Sequence, residues 1–146
     1  MYQRILVPVD GSATSGRALA EAIKFAQQHN ARVEVAHVLE DIGYLDEENY
    51  LNYAGLVDSL KRSGEKMLAE AQMKLKQTGV PVETKLLEAK GERVAHVIIA
   101  EAKNAQADLI IVGTHGRSGF SRMLLGSVAE GVVRTADIPI LLIHGG

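Results

Sequence analysis

The residues best suited to chemistry lie between Gly113 and Ser127, in the stretch GTHGRSGFSRMLLGS. Glycines stand at Gly113, Gly116, Gly119 and Gly126, with Arg117 and Arg122 among them. Glycine reaches positive φ without steric penalty and lets backbone N–H groups close on an anion with no Cβ in the way. Gly126-Ser127 falls at the start of a predicted helix, where unpaired N–H groups and the positive end of the dipole attract phosphate. Ser127 either adds a hydroxyl contact to such an anion or caps the helix. The arginines bring cations into the same loop. Together these features predict a phosphate-binding loop. It is neither the Walker A pattern G-x-x-x-x-G-K-[ST] nor the dinucleotide pattern G-x-G-x-x-G.

A second unusual place is Pro8-Val9-Asp10-Gly11-Ser12, at the end of an apolar run. Proline cannot donate to a sheet ladder, so Pro8 either ends regular pairing or marks a site at a strand end. Asp10 is the one acid placed to meet a metal or a ribose hydroxyl. The five histidines show no paired i, i+4 ligand spacing. His37 reads as a hydrogen-bonded core residue, and His115, inside the glycine loop, as solvent-facing or else within reach of a phosphate. Met67 and Met73 read as packing residues. No Ser-His-Asp or paired-carboxylate arrangement can be argued from the spacing.

The elements that must position these residues alternate. Residues 3–9 (QRILVPV), 32–38 (RVEVAHV), 82–88 (VETKLLE), 108–112 (DLIIV) and 138–143 (IPILLI) read as strands. Between them, helical spacing brings together Leu19, Ala22, Ile23 and Ala26, then Leu60, Met67, Leu68, Ala71 and Leu75, then Val94, Val97, Ile98 and Ala102. A last helix is predicted over 127–136. This alternation predicts an α/β fold with a mostly parallel sheet covered on both faces. In such sheets ligands bind beyond the carboxyl ends of the strands, where the connections reverse. The acidic stretch 40–52 (EDIGYLDEENYLN) is longer than most connections in this fold class. It reads as a solvated loop, a lid or a partner surface.

Composition narrows the classes. The length of 146 residues suits one domain, taken as 1–146. A net charge of −2 gives no basic field for nucleic acid or anionic membrane. No cysteine is present, so disulfides, thiolate metal sites and thiol catalysis are all excluded, in keeping with a cytoplasmic location. The opening MYQRILVPVD reads as a strand rather than a secretory leader, and no apolar run reaches bilayer-spanning length.

The spacing Gly113-x2-Gly116-x9-Gly126-Ser127 resembles the ATP-binding signature of the universal stress protein family. The resemblance runs through the PVDGS opening, the HV end of the second strand, the ADLIIVGTHG approach and the closing IPILLI. It implies a three-layer, Rossmann-like α/β/α fold with five parallel strands in the order 3-2-1-4-5. It implies a site in which Asp10, at the end of Pro8 and Val9, sits near ribose and phosphates, with Mg2+ as a candidate companion. Backbone around Val38 would meet adenine, and Gly113 would approach the ribose. Gly116, Gly126 and Ser127 would cradle phosphates, aided by Arg117, with Val128 beginning the helix below. The expected ligand is ATP, or AMP or ADP in its place. The expected assembly is a homodimer through strand 138–143, with a regulatory protein partner not identified by the sequence. The expected role is nucleotide sensing in a stress response. Slow ATP hydrolysis and a nucleotide-free interaction module are the alternatives.

Overall fold

The computed structural model describes residues 2–41, 50–115 and 125–145. Five strands and four helices alternate along the chain. They are β1 (Arg4–Pro8), α1 (Ala13–His29), β2 (Arg32–Leu39), α2 (Tyr50–Gln77), β3 (Val82–Glu88), α3 (Val94–Asn104), β4 (Leu109–Gly113), α4 (Ser127–Thr135) and β5 (Ile140–Ile143). All the strand pairs are parallel, and the order is β3-β2-β1-β4-β5. Both the alternation and the order agree with the sequence-based expectation.

The helix boundaries have local causes. Ser12 caps α1, its hydroxyl accepting from the Ser15 N–H at 3.1 Å. Asn30 ends the helix in the left-handed region, at φ 54°. Gly79 follows α2 at φ +78°, a turn that favours glycine.

Strand alternation divides the core into two layers. Ile5, Val7, Val33, Val35 and Ile111 pack with Leu19, Ala22 and Ala26 of α1 and Leu68, Ala71 and Leu75 of α2. Leu6, Ala36, Val38, Ile110 and Val112 pack with Ile98 and Ala102 of α3 and Val132 of α4. Leu6, Ile110 and Val132 have no exposed surface. The helical stripes expected for α1, α2 and α3 are the ones that face the sheet.

Some boundaries and one residue differ from expectation. The acidic connection is shorter than 40–52, because α2 already begins at Tyr50; its residues 42–49 lie outside the described residues. Gly113 belongs to β4, and β5 spans only Ile140–Ile143. Met73 is 64% exposed, so it is a surface residue and not a packing one. It stands on the solvent side of the stripe set by Leu68, Ala71 and Leu75. Among the described residues no helix is long and apolar enough to cross a membrane.

Candidate functional site

The carboxyl ends of β1 and β4 lie side by side but separate early. Their register runs only through Ile5↔Leu109 and Leu6↔Ile110, while β4 continues beside β5 to Gly113↔Ile143. Pro8 sits in this opening. The Val9 N–H donates to Ala36 O of β2 at 2.8 Å, and Arg4 O accepts from the Asp108 N–H on the β4 side. Successive residues face opposite neighbours, so the nitrogen of Pro8 is directed toward β4, where pairing has already stopped. Its missing donor therefore leaves no ladder bond unmade. Pro8 both ends the pairing and lines the resulting cleft.

That cleft holds a cavity of about 480 Å3. This lies within the usual range for small-molecule sites, roughly 300–1,000 Å3. Pro8, Val9 and Asp10 line it from β1 and its turn, and His37 and Val38 from β2. Val112, Gly113, Thr114 and His115 line it from β4, Val94 and Ile98 from α3, and Gly126, Ser127, Val128 and Ala129 from α4. Eight of the ten residues singled out in the sequence thus share one cavity: Pro8, Val9, Asp10, Val38, Gly113, Gly126, Ser127 and Val128. Gly116 and Arg117 lie outside the described residues, as do Gly119 and Arg122.

A short strap sets the start of α4 beside the strand ends. Buried Thr114 donates its N–H to Ile143 O at 2.9 Å, and its carbonyl accepts the Gly126 N–H at 2.6 Å. The cap residue of α4 is Gly126, and Ser127 is the first helical residue. Ser127 is thus not the N-cap, one of its two sequence-based readings; the extended backbone (φ −70°, ψ 165°) falls one residue earlier. No side chain caps this helix among the described residues. Its first-turn N–H groups, on Ser127, Val128 and Ala129, are the donors a helix cannot satisfy within itself, and all three residues border the cavity.

Asp10 opens the turn into α1. Its Oδ1 accepts the Ser12 N–H at 2.9 Å, and its own N–H donates to Ser15 Oγ at 3.3 Å. Gly11 follows at φ +82°. Gly113 has a packing reason to be glycine: a Cβ there would stand 2.6 Å from Thr14 Cγ2 at the start of α1. Among the described residues no three histidine, cysteine or acidic side chains converge as a metal cluster.

The sequence left His37 as a core histidine. The structure adds that it borders the cavity and that its Nδ1 donates to Val9 O at 2.8 Å. A carbonyl only accepts, so Nδ1 carries a proton. The ring packs against Gly64 of α2, where a Cβ would meet His37 Cδ2 at 2.9 Å. His115 is half-buried rather than solvent-facing, within 3.0 Å of Thr114 Oγ1. Leu60 and Ser63 of α2 also reach the cavity. The α2 stripe marked Leu60 as inward, whereas nothing in the spacing singled out Ser63.

A doubly wound parallel sheet with a half-apolar cavity at its switch point and a helix N-terminus aimed into it defines an α/β ligand-binding protein. Comparison with known proteins narrows the class. The Universal stress protein family matches residues 1–144. A universal stress protein of Thermus aquaticus is 38% identical over 147 residues, covering 99% of this chain and 100% of that protein. The universal stress protein YxiE of Bacillus subtilis is 33% identical over 154 residues, covering 99% and 100%. Among solved structures, universal stress protein UspA from Lactobacillus plantarum superposes with a TM-score of 0.86 at 26% identity, over 97% of each chain. A universal stress protein in complex with cAMP gives a TM-score of 0.68 at 28% identity, covering 98% of this chain and 97% of that one. One from Archaeoglobus fulgidus in complex with dAMP gives 0.68 at 26% identity, covering 97% and 98%. The chain belongs to the universal stress protein family.

Proposed function

We propose that this chain binds an adenine nucleotide in the cleft between β1 and β4 and acts as a regulatory nucleotide sensor in a stress response. The observation that carries the reading is the cavity itself. It has apolar walls from Val38, Val94, Ile98 and Val112 on one side and on another the start of α4, which no described side chain caps. A purine needs the first, and phosphate oxygens need the second. Two family members of the same fold are described as complexes with cAMP and dAMP, which supports an adenine ligand.

In this reading Val38 and its strand end meet the base, and Gly113 lies along the ribose. Ser127, Val128 and Ala129 donate backbone N–H groups to phosphate, and Gly126 keeps the approach free of a Cβ. Gly116 and Arg117 complete the phosphate side. ATP is the first candidate, with AMP and ADP as replacements. Mg2+ would sit between phosphate oxygens and Asp10, since no cluster of three potential metal ligands is found among the described residues. The protein works as one domain in the cytoplasm, in keeping with its cysteine-free composition. It pairs as a homodimer through the free edge of β5 and answers to a regulatory partner yet to be identified.

Calorimetric titration with ATP, AMP and cAMP, with and without Mg2+, tests the site. Gly126 has a backbone open to any residue, so Gly126→Val should fold and yet lose at least tenfold in affinity. Unchanged affinity in the folded variant would overturn the phosphate site, and a wild type that binds no adenine nucleotide would overturn the whole reading. Mass analysis of the nucleotide recovered after incubation separates a binder, which returns ATP, from a slow hydrolase, which returns ADP.

A further inference from the structure

A second cavity, of about 510 Å3, opens at the opposite end of the sheet, between β3 and α3. Glu34 of β2 and Glu101 of α3 meet there. Glu101 is 6% exposed and Glu34 is half-buried. Each has an Oε2 that is fully buried and has no hydrogen-bond partner. Two neighbouring carboxylates, each with a buried, unsatisfied oxygen, are an unstable arrangement, because burial and the adjacent Glu101 both disfavour the charged form of Glu34.

The charged groups around the pair do not neutralise it. Arg4 of β1 turns its guanidinium to Ala105 O at 3.4 Å and Gln106 Oε1 at 3.1 Å. Arg32 of β2 borders the same cavity but is exposed. On β3, Glu83 stands opposite Glu34 in register and adds repulsion, while Lys85 opposes it. A single proton between the two glutamates satisfies both orphan oxygens at once, one as donor and the other as acceptor.

The pair lies on the seam that also walls the site. Glu34 and Val38 are on the same face of β2, four residues apart. Glu101 follows Ile98 and Val94 down α3, which runs back along the sheet. The seam thus has Val38 against Val94 and Ile98 at the upper cavity and the carboxyl pair at the lower one.

We propose that Glu34 and Glu101 share one proton that latches α3 onto β2, so that the wall of the upper cavity tightens on acidification and loosens as the pH rises. The carboxyl of Glu34 is pushed up to about 8, by burial first and then by hydrogen bonding to Glu101 and repulsion from it. A carboxyl raised above its ordinary value of 4.5 holds its proton better in the closed form than in the open one. The latch is therefore complete below pH 4.5, weakens across the interval up to about 8, and is lost above it.

Hydrogen exchange of the nucleotide-free protein tests this without relying on any ligand. After the intrinsic pH dependence of exchange is divided out, opening of residues 94–104 in the wild type should rise several-fold per pH unit from 5 to 8. One proton permits at most about tenfold per unit. The rise should level off above pH 8. Glu101→Gln and Glu34→Gln each replace the shared proton with a permanent amide donor, so either variant should be nearly flat. Two variants from opposite sides guard against one failing to fold. Lys85→Met removes the opposing cation and should move the levelling to higher pH. An equal slope in the wild type and either folded glutamine variant overturns the latch. A change confined to residues 99–104 that leaves 94–98 protected overturns its link to the cavity wall.

Discussion

Gly131 lies inside α4, a position where glycine is normally a liability. Replacing it with alanine should gain about 1 kcal/mol of helix propensity. The structure opposes that gain. A Cβ at residue 131 would stand 2.5 Å from the Cβ of Ala95 on α3. Carbon atoms pack at roughly 3.5–4.0 Å, so the two helices would have to part by about 1–1.5 Å. Overpacking of this kind costs about 1–3 kcal/mol. The net for Gly131→Ala is then a loss of about 0–2 kcal/mol. In a chain of this size that lowers Tm by up to about 8 °C. The decisive measurement is a double-mutant cycle by urea unfolding. In an Ala95→Gly background the clash is absent, and Gly131→Ala should stabilise by about 1 kcal/mol. If Gly131→Ala has the same effect in both backgrounds, the close α3–α4 contact is not real and the reasoning fails. The contact also bears on the site, because Val94 and Ile98 of α3 and Val128 of α4 wall the same cavity. Parting the helices should weaken nucleotide binding along with stability.

Two further outcomes are expected. Ser12→Ala removes the α1 cap and the acceptor for the Ser15 N–H, and should cost about 1 kcal/mol in urea unfolding while leaving the sheet intact. For assembly, light scattering at micromolar concentration should give the dimer mass for the wild type and the monomer mass for Leu142→Pro. The position follows from the ladder: Ile110 of β4 donates to Pro139 O and Thr114, just past β4, to Ile143 O, so odd-numbered residues face inward and Ile140 and Leu142 carry the outward N–H groups. Leu141→Pro would instead damage the monomer's own sheet. A monomeric wild type, or a folded Leu142→Pro dimer, would refute pairing through this edge.

The parts of the fold that were legible in the sequence are those set by local pattern. The apolar runs LIIV and ILLI, bounded by Gly113 and Pro139, both form strands, but only LIIV is buried; ILLI lies at the sheet edge with Leu141 exposed, so an apolar run alone did not tell a central strand from an edge one. For β3 the expected 82–88 matches the strand residue for residue, because Pro81 begins it and the following turn ends it. Gly113, Gly126 and Ser127 stood out because their types are unusual between a strand and a helix, and all three line the cavity. What was not legible depends on contacts far apart in the chain. Nothing in the local sequence pattern marks Glu34 or Glu101. Only the return of α3 along β2 brings them together. Gly131 and Gly64 drew no notice in the sequence. They are close approaches, to Ala95 and to His37, that no local pattern announces. Ser127 was misread as a possible cap by one position, because Gly126 takes the extended conformation that serine usually supplies.

The location of the cavity follows from the same economy of backbone pairing. After β1 the chain leaves through α1 on one face, and after β4 it leaves through α4 on the other. The cleft opens between the two strand ends, where their pairing has stopped and the connections reverse. An ordinary residue at position 8 would carry an N–H directed into that gap with no strand to receive it. Proline removes the donor, and the β1–β4 ladder ends at Leu6↔Ile110 without an orphan group. The polar groups at the mouth are the first-turn N–H groups of α4 and Asp10 at the start of α1, whose Oδ1 accepts the Ser12 N–H. The wall beneath them is apolar, from Pro8, Val38 and Val112. The proposed function asks for a ligand with one flat apolar end against that wall, one anionic end at the start of α4, and between them a polar linker whose hydroxyls can reach Asp10, as in a nucleotide.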